Sequence, residues 1–459
     1  MILRLSDIAT YTEGRAHGAD VLVHGVFTDT RKPQPGALFV ALIGETFDAH
    51  HFVDVAKQGG AAAALVARRL DIDLPQVVVP DTQLALGRLA AAVRSQRSAR
   101  VIGITGSNGK TTVKTLLASI LSLHGRTHVN AGNLNNEIGL PLSIVAMPAD
   151  TEYAVLEMGA GKPGDIAYLA AIAKPEIGLV NNIAPAHLER MGSLEGIAET
   201  KGAMYSALPP HGTAVINADD TFAPLFARLA GARRTLRFGL EQAGDVHGAI
   251  QTLGAKSQFT LSTPDGRSDI ALPLAGRHNV QNALAAATLA LALDVPLATI
   301  KRGLEAAAPV HGRLIRHTMP AGWTLIDDSY NANPGSTAAA ISTLAAEPGE
   351  AWLVLGDMRE LGADARKLHA QIGTLARERG ITRLYTVGAL SHEAAHAFGA
   401  GAHHFDDQSA LAATLAHDVR PGIRVLVKGS RGSAMDRVVR SLLGDDNGHS
   451  GGGGARHAA

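Results

Sequence analysis

The 459-residue chain contains no cysteine, which removes disulfides, zinc–thiolate centres and thiol nucleophiles together and fits a reducing compartment. It carries no net charge either: 42 Lys and Arg balance 42 Asp and Glu. No overall field therefore points to nucleic acid or to an anionic membrane surface, and neither kind of partner is expected. Long apolar runs are missing too. The longest uncharged apolar stretch, around Asn282 to Leu293, falls short of the ~20 residues that cross a bilayer and reads as a buried helix, so membrane insertion is not expected. The start, MILRLSDIATY, meets Asp7 after a short apolar opening. It does not read as a signal peptide, and a cytoplasmic location is expected.

What is present is a phosphate cradle. Residues Thr105 to Thr112 read TGSNGKTT, after the β-branched run Val101, Ile102, Ile104 and before Val113, Leu116, Leu117, Ile120 and Leu121, the spacing of an amphipathic helix. The loop therefore opens a helix. Gly106 and Gly109 let backbone N–H groups turn toward an anion, helped by the helix dipole. Lys110 supplies a charge, the Thr111 hydroxyl a magnesium ligand, and Ser107, Asn108 and Thr112 complete the ATP-binding run. The common P-loop has glycine where this chain has Ile104, so the loop is a shortened variant.

At about 150 residues per domain, the length suggests three domains. Residues 1–81 alternate short strands and turns, among them Val21 to Val23 and Leu38 to Ile43, and read as a small α/β unit. A helix from about Thr82 to Arg97, with Leu84, Leu86, Leu89, Ala90 and Val93 on its apolar side, opens a central domain, 82–313. There strands at Val101 to Ile104, Tyr153 to Leu156, Ile177 to Val180 and Ala214 to Ile216 alternate with helical pattern. Such alternation implies a mostly parallel sheet with ligands at the strands' C-terminal ends. A second series, Thr324 to Ile326, Ala351 to Leu355, Arg383 to Val387 and Arg424 to Val427, makes 314–444 a further α/β domain. No G-x-G-x-x-G accompanies its strands. The Gly-rich 445–459 reads as a disordered tail.

Beyond the loop, Glu157 ends an apolar strand and suits a magnesium ligand or a solvated strand end. His187 follows the next strand, but lone histidines are mostly structural, and by itself Lys201 reads as a helix-surface lysine. Asn279 could cap a helix, while Asn282 could reach a nucleotide. Asp327 to Pro334, DDSYNANP, form a dense polar turn after a strand, a position suited to ligand contact. Arg313 sits at a domain boundary, placed to reach phosphate across a cleft.

Assembled, these runs resemble the Mur ligase family. The resemblance is carried by the shortened TGSNGKTT loop, NLNNEIGLPL (Asn133 to Leu142), EMGA (Glu157 to Ala160), VNNIAPAHLE (Val180 to Glu189), GRHNVQNALAA (Gly276 to Ala286), DDSYNANP, LGDMRELG (Leu355 to Gly362) and VLVKGSRG (Val425 to Gly432). It covers nearly the whole chain except its tail. The resemblance implies three α/β domains: a small UDP-binding domain, a central P-loop parallel-sheet ATPase domain and a C-terminal Rossmann-like domain. The implied reaction joins D-alanyl-D-alanine to UDP-N-acetylmuramoyl-tripeptide in peptidoglycan precursor synthesis, through an acyl phosphate. ATP and two magnesium sites are implied, with Thr111 and Glu157 on one, and His187 and a carbamylated Lys201 on the other. Lys110, Glu157, His187 and Lys201 are then the catalytic set, with Asn282, Arg313 and Asp328 on ATP.

The run Thr28 to Phe52 resembles the family's UDP-binding segment, which points to Thr30, Arg31, Ala41 and Leu42. Asn331, Lys428, Ser430 and Arg431 are candidates for the dipeptide, and a monomer is expected. One departure stands out: the family's usual acid two residues after the carbamylated lysine is Ala203 here. The sister ligase that adds a diamino acid is the alternative, but its Asp-Asn-Pro-Arg run is absent. Folylpolyglutamate synthases share the loop, and a P-loop ATPase without ligase activity leaves the N-terminal segment unexplained.

Overall fold

The computed structural model describes residues 1–444, and the expected tail 445–459 lies outside them. Helices and strands alternate along the chain, and the strands collect into sheets of two, five, nine and six strands.

The five-stranded sheet runs Arg15–His17, Gln76–Val78, Ala63–Val66, Leu38–Val40, Val26–Phe27, parallel except for its first pair. The helix Thr82–Ser95 follows. Asp81 caps it by accepting the N–H groups of Gln83 and Leu84, which satisfies two of the donors a helix start leaves open. Ala85, Leu86, Leu89, Ala90 and Val93 are buried, but Leu84, expected among them, is exposed. Two residues before Leu86 is about 200° around the helix, so Leu84 points away from the stripe.

The nine-stranded sheet has Arg100–Thr105 near its centre, paired in parallel with Tyr153–Glu157 on one side and Ile177–Val180 on the other. Parallel pairing brings the residues after all three strands to one edge. Residues 234–272, expected as strand–helix alternation, are instead four consecutive strands, the last three antiparallel hairpins. They keep one face on the core through Val246, Phe259, Leu261 and Ile270. Behind the sheet lies the helix Arg277–Leu291, buried along almost its whole length, as the uncharged stretch suggested.

The helix Lys110–Leu121 buries Val113, Leu116, Leu117, Ile120 and Leu121 against this sheet. Leu117→Ala is expected to cost about 2–5 kcal/mol through the cavity it leaves. Chemical denaturation followed by circular dichroism checks this, and an unchanged midpoint overturns the packing argument.

The six-stranded sheet runs Ile315–Thr318, Thr324–Asp328, Arg424–Lys428, Ala351–Gly356, Arg383–Val387, Ala402–Phe405, antiparallel only at its first pair. Its central strands are apolar on both faces, the pattern of a sheet covered by helices.

Candidate functional site

The loop between strand and helix is strapped in place before any ligand arrives. Asn182 accepts the Asn108 N–H at 2.9 Å, its amide and that of Asn181 donate to the Asn108 carbonyl at 3.1 and 2.9 Å, and Ser107 bonds both ways with Ala184. Gly109 has φ 80°, and a Cβ there would run into the Asn181 and Asn282 amides, so only glycine fits. Asn181 and Asn182 escaped the sequence reading. The only signal was two amides directly after a strand.

Lys110 donates to the Gly106 carbonyl at 2.8 Å. Burial lowers its pKa, and Glu157 opposes that shift. The Thr111 hydroxyl donates to Glu157 Oε2 at 2.9 Å, and Asn135 donates to Oε1 at 2.7 Å. Glu157 is 3% exposed, so the alternative of a solvated strand-end residue does not apply.

The half-buried Thr111 hydroxyl set against the buried Glu157 carboxylate fits magnesium. No cluster of three or more His, Cys, Asp or Glu that could hold a metal occurs among the described residues.

Lys201 overturns its surface reading. It is 2% exposed on the helix Leu194–Ser206, and among the described residues no acceptor holds its ammonium. Burial first, then Lys110, lower its pKa from 10.5 to about 7, with Asp165 acting the other way. Ala203 offers it no carboxylate. His187 takes a left-handed backbone, φ 54°, at the start of the short helix Leu188–Met191. Its Nδ1 pairs with the Glu360 carboxylate on the C-terminal sheet's unit. Glu360 is also left-handed, at φ 63°, and the hydrogen bond from His187 holds its carboxyl below the usual range against the opposing effect of burial. Glu360 was not singled out in the sequence.

A cavity of about 290 Å³ brings together Asn108, Gly109 and Thr112 of the loop with Asn282, Arg313, Asp328 and Lys428. Lys428, expected at the dipeptide, donates here to Asp328 Oδ2 at 2.5 Å and to the Asn331 carbonyl at 3.0 Å. Arg313 lies 4.5 Å over the Tyr330 ring, its Nε without a partner among the described residues. Burial pushes His278 down to about 4, with Asp328 opposing and Lys428 and Arg313 reinforcing, so its imidazole stays neutral near pH 7.

Asn331 and Arg431 sit exposed at the rim, where the Arg431 N–H reaches Asn331 Oδ1 at 3.4 Å. The Ser430 hydroxyl is spent on the Asp357 carbonyl at 2.6 Å. Across the units, Asn333 caps the helix Pro334–Ala345 and donates to Asn108 Oδ1 at 2.8 Å.

The remaining candidates belong to the five-stranded sheet's unit, apart from the phosphate loop. Arg31 is exposed and forks onto Asp29, with two bonds of 2.8 Å, and Thr30 beside it is half-buried. Ala41 is fully buried, its carbonyl taken by the Thr82 hydroxyl at 2.9 Å, and Leu42 follows it, half-buried. Ala41 and Leu42 follow the C-terminal end of a parallel strand, where ligands of such sheets bind.

Comparison with known proteins gives a consistent set of likenesses. The Mur ligase middle domain matches residues 104–290, and the Mur ligase glutamate ligase domain matches 312–431. The chain is 48% identical over 442 residues to the UDP-N-acetylmuramoyl-tripeptide–D-alanyl-D-alanine ligase of Escherichia coli K12, covering 95% of this chain and 98% of that one. Among solved structures it is similar to MurF from Acinetobacter baumannii, with a TM-score of 0.92 and 35% identity, covering 97% of this chain and 99% of the other. A MurF ligase from Thermotoga maritima, in complex with ADP, superposes at a TM-score of 0.83 with 29% identity, covering 92% of this chain and 98% of that one.

Proposed function

The chain belongs to the Mur ligase family, and on that premise we propose that it is an ATP-dependent peptide ligase adding D-alanyl-D-alanine to UDP-N-acetylmuramoyl-tripeptide, in the cytoplasm and as a monomer. The observation that carries this reading is the cavity shared by the phosphate loop and the C-terminal sheet, in which Asn108, Gly109 and Asn282 face Arg313, Asp328 and Lys428. In this reading residues 1–81 bind the UDP end through Thr30, Arg31 and the backbone at Ala41 and Leu42. Residues 82–313 bind ATP, and 314–444 bring the dipeptide, with Asn331 and Arg431 at the rim.

A carboxylate is a poor electrophile, so the tripeptide's terminal carboxylate first attacks the γ-phosphorus of ATP, and ADP leaves. Lys110 and Arg313 offset the phosphate charge that would repel the incoming carboxylate, and the backbone N–H groups of Gly106 to Lys110 hold the phosphate oxygens. Thr111 and Glu157 would hold one magnesium ion, and His187 with a carbamylated Lys201 a second; when bound, the metal supplies charge neutralisation at the transferring phosphoryl group. The dipeptide amine then attacks the acyl-phosphate carbonyl, the C–O bond to phosphate breaks as the amide forms, and the departing phosphate carries off the proton that the nitrogen loses. Contacts such as Asn333 to Asn108 close the C-terminal unit over the loop and keep water from the acyl phosphate.

The test measures phosphate release from ATP and magnesium with each acceptor alone and with both together. Release only with both, accompanied by a product heavier by the dipeptide, is the expected result. Release independent of either acceptor overturns the ligase reading in favour of simple ATP hydrolysis.

A further inference from the structure

Lys114 lies one turn beyond Lys110 on the phosphate-loop helix and is 5% exposed. A lysine at that place on a helix ordinarily extends to water. Here its ammonium turns inward, donating to the Asn130 carbonyl at 2.8 Å and the Gly132 carbonyl at 3.2 Å, and stands 3.4 Å from Glu157 Oε2.

The same carboxylate takes the Thr111 hydroxyl, and its residue is bound on the backbone by Asn130, whose amide accepts from the Glu157 N–H at 2.9 Å and donates to its carbonyl at 3.0 Å. Lys114 therefore does two things: it fastens the segment that carries Asn130 and Asn135, and it places a fixed positive charge against a carboxylate with almost no access to solvent. A buried carboxylate without a nearby cation is strongly unfavourable.

We infer that Lys114 is a positioning residue, the resident counter-charge of Glu157, that makes metal binding conditional on nucleotide. The inference rests on the assignment of Thr111 and Glu157 to magnesium. A free divalent ion approaching Glu157 meets the ammonium at short range in a poorly screened site. An ion that arrives on a triphosphate brings enough negative charge to offset that repulsion, so the site admits the nucleotide-bound ion and disfavours the free one. Arginine is bulkier than the ammonium but keeps the charge on which the inference depends.

Manganese binding to the nucleotide-free full-length protein, read by electron paramagnetic resonance, tests this with four proteins: wild type, Lys114→Met, Lys114→Arg and Glu157→Gln. Lys114→Met is expected to bind manganese at least ~10-fold more tightly than wild type, Lys114→Arg to stay near wild type, and Glu157→Gln to bind most weakly. Unchanged or weaker binding by folded Lys114→Met, alongside weakened Glu157→Gln, overturns the role of Lys114 alone. Wild-type binding by Glu157→Gln overturns the metal assignment beneath it. If Lys114→Met does not fold, Lys114→Gln keeps a donor for the Asn130 carbonyl without the charge and decides the question in the same way.

Discussion

Lys110→Met is expected to lower kcat by about 10²–10³-fold, the loss that follows removal of one preorganised donor from a developing charge. Without ligand the Lys110 ammonium rests on the Gly106 carbonyl at 2.8 Å, within its own loop, so it is free to move onto a phosphate oxygen when one arrives. Burial lowers its pKa, which means the folded protein holds the charged form at a cost, and methionine of similar length removes that cost. The variant should therefore fold and melt no lower than wild type while turnover collapses. Steady-state kinetics at saturating ATP, together with a thermal melt, separate the two quantities. A kcat within about threefold of wild type would remove Lys110 from the transition state.

The second large effect concerns Lys201. Carbon dioxide adds only to a neutral amine. With a pKa of about 7 in place of 10.5, most Lys201 side chains are uncharged at pH 8, where an ordinary lysine is almost wholly protonated. Activity is accordingly expected to depend on bicarbonate and to rise with pH through about 7. Labelled bicarbonate should give a carbamate carbon signal in wild type and none in Lys201→Met, which should be nearly inactive.

Burying the amine carries a stability cost that also depends on pH. The unfolded lysine keeps its proton up to about 10.5 while the folded one releases it near 7, so the unfolded state binds more protons between those values and stability rises with pH across that window. In carbon dioxide-free buffer at pH 8, Lys201→Met should be more stable than wild type by about 3 kcal/mol. Activity indifferent to bicarbonate, with no carbamate signal, would sink the assignment.

Much of the architecture was legible because its signals are local. The strand before Gly106 and the stripe from Val113 to Leu121 specify the strand–loop–helix by periodicity alone, and Ile177–Val180 and Arg383–Val387 fall where their apolar runs lie. The hairpins within 246–272 were missed because each strand carries its alternation on very few large apolar residues, Phe259 and Leu261 in one and Ile270 and Leu272 in the next, so no apolar run marks them. At the candidate site the sequence could name residue types but not depth. Nothing in Glu199-Thr200-Lys201-Gly202 signals that one lysine is almost wholly buried, since that burial comes from packing against other segments of the chain. The pairing of His187 with Glu360 is of the same kind: two residues far apart in the chain, each held in a backbone shape that neither favours by itself.

The bonds that tie Asn108 and Ser107 to Asn181, Asn182 and Ala184 have a thermodynamic reading. A flexible anion loop must lose its conformational freedom at the moment of binding, and that loss weakens the complex. This loop loses it during folding, so nucleotide meets a mould already set. With the loop already set, the adaptable part of the cavity is the wall across from it, where Arg313, Asp328 and Lys428 face the loop.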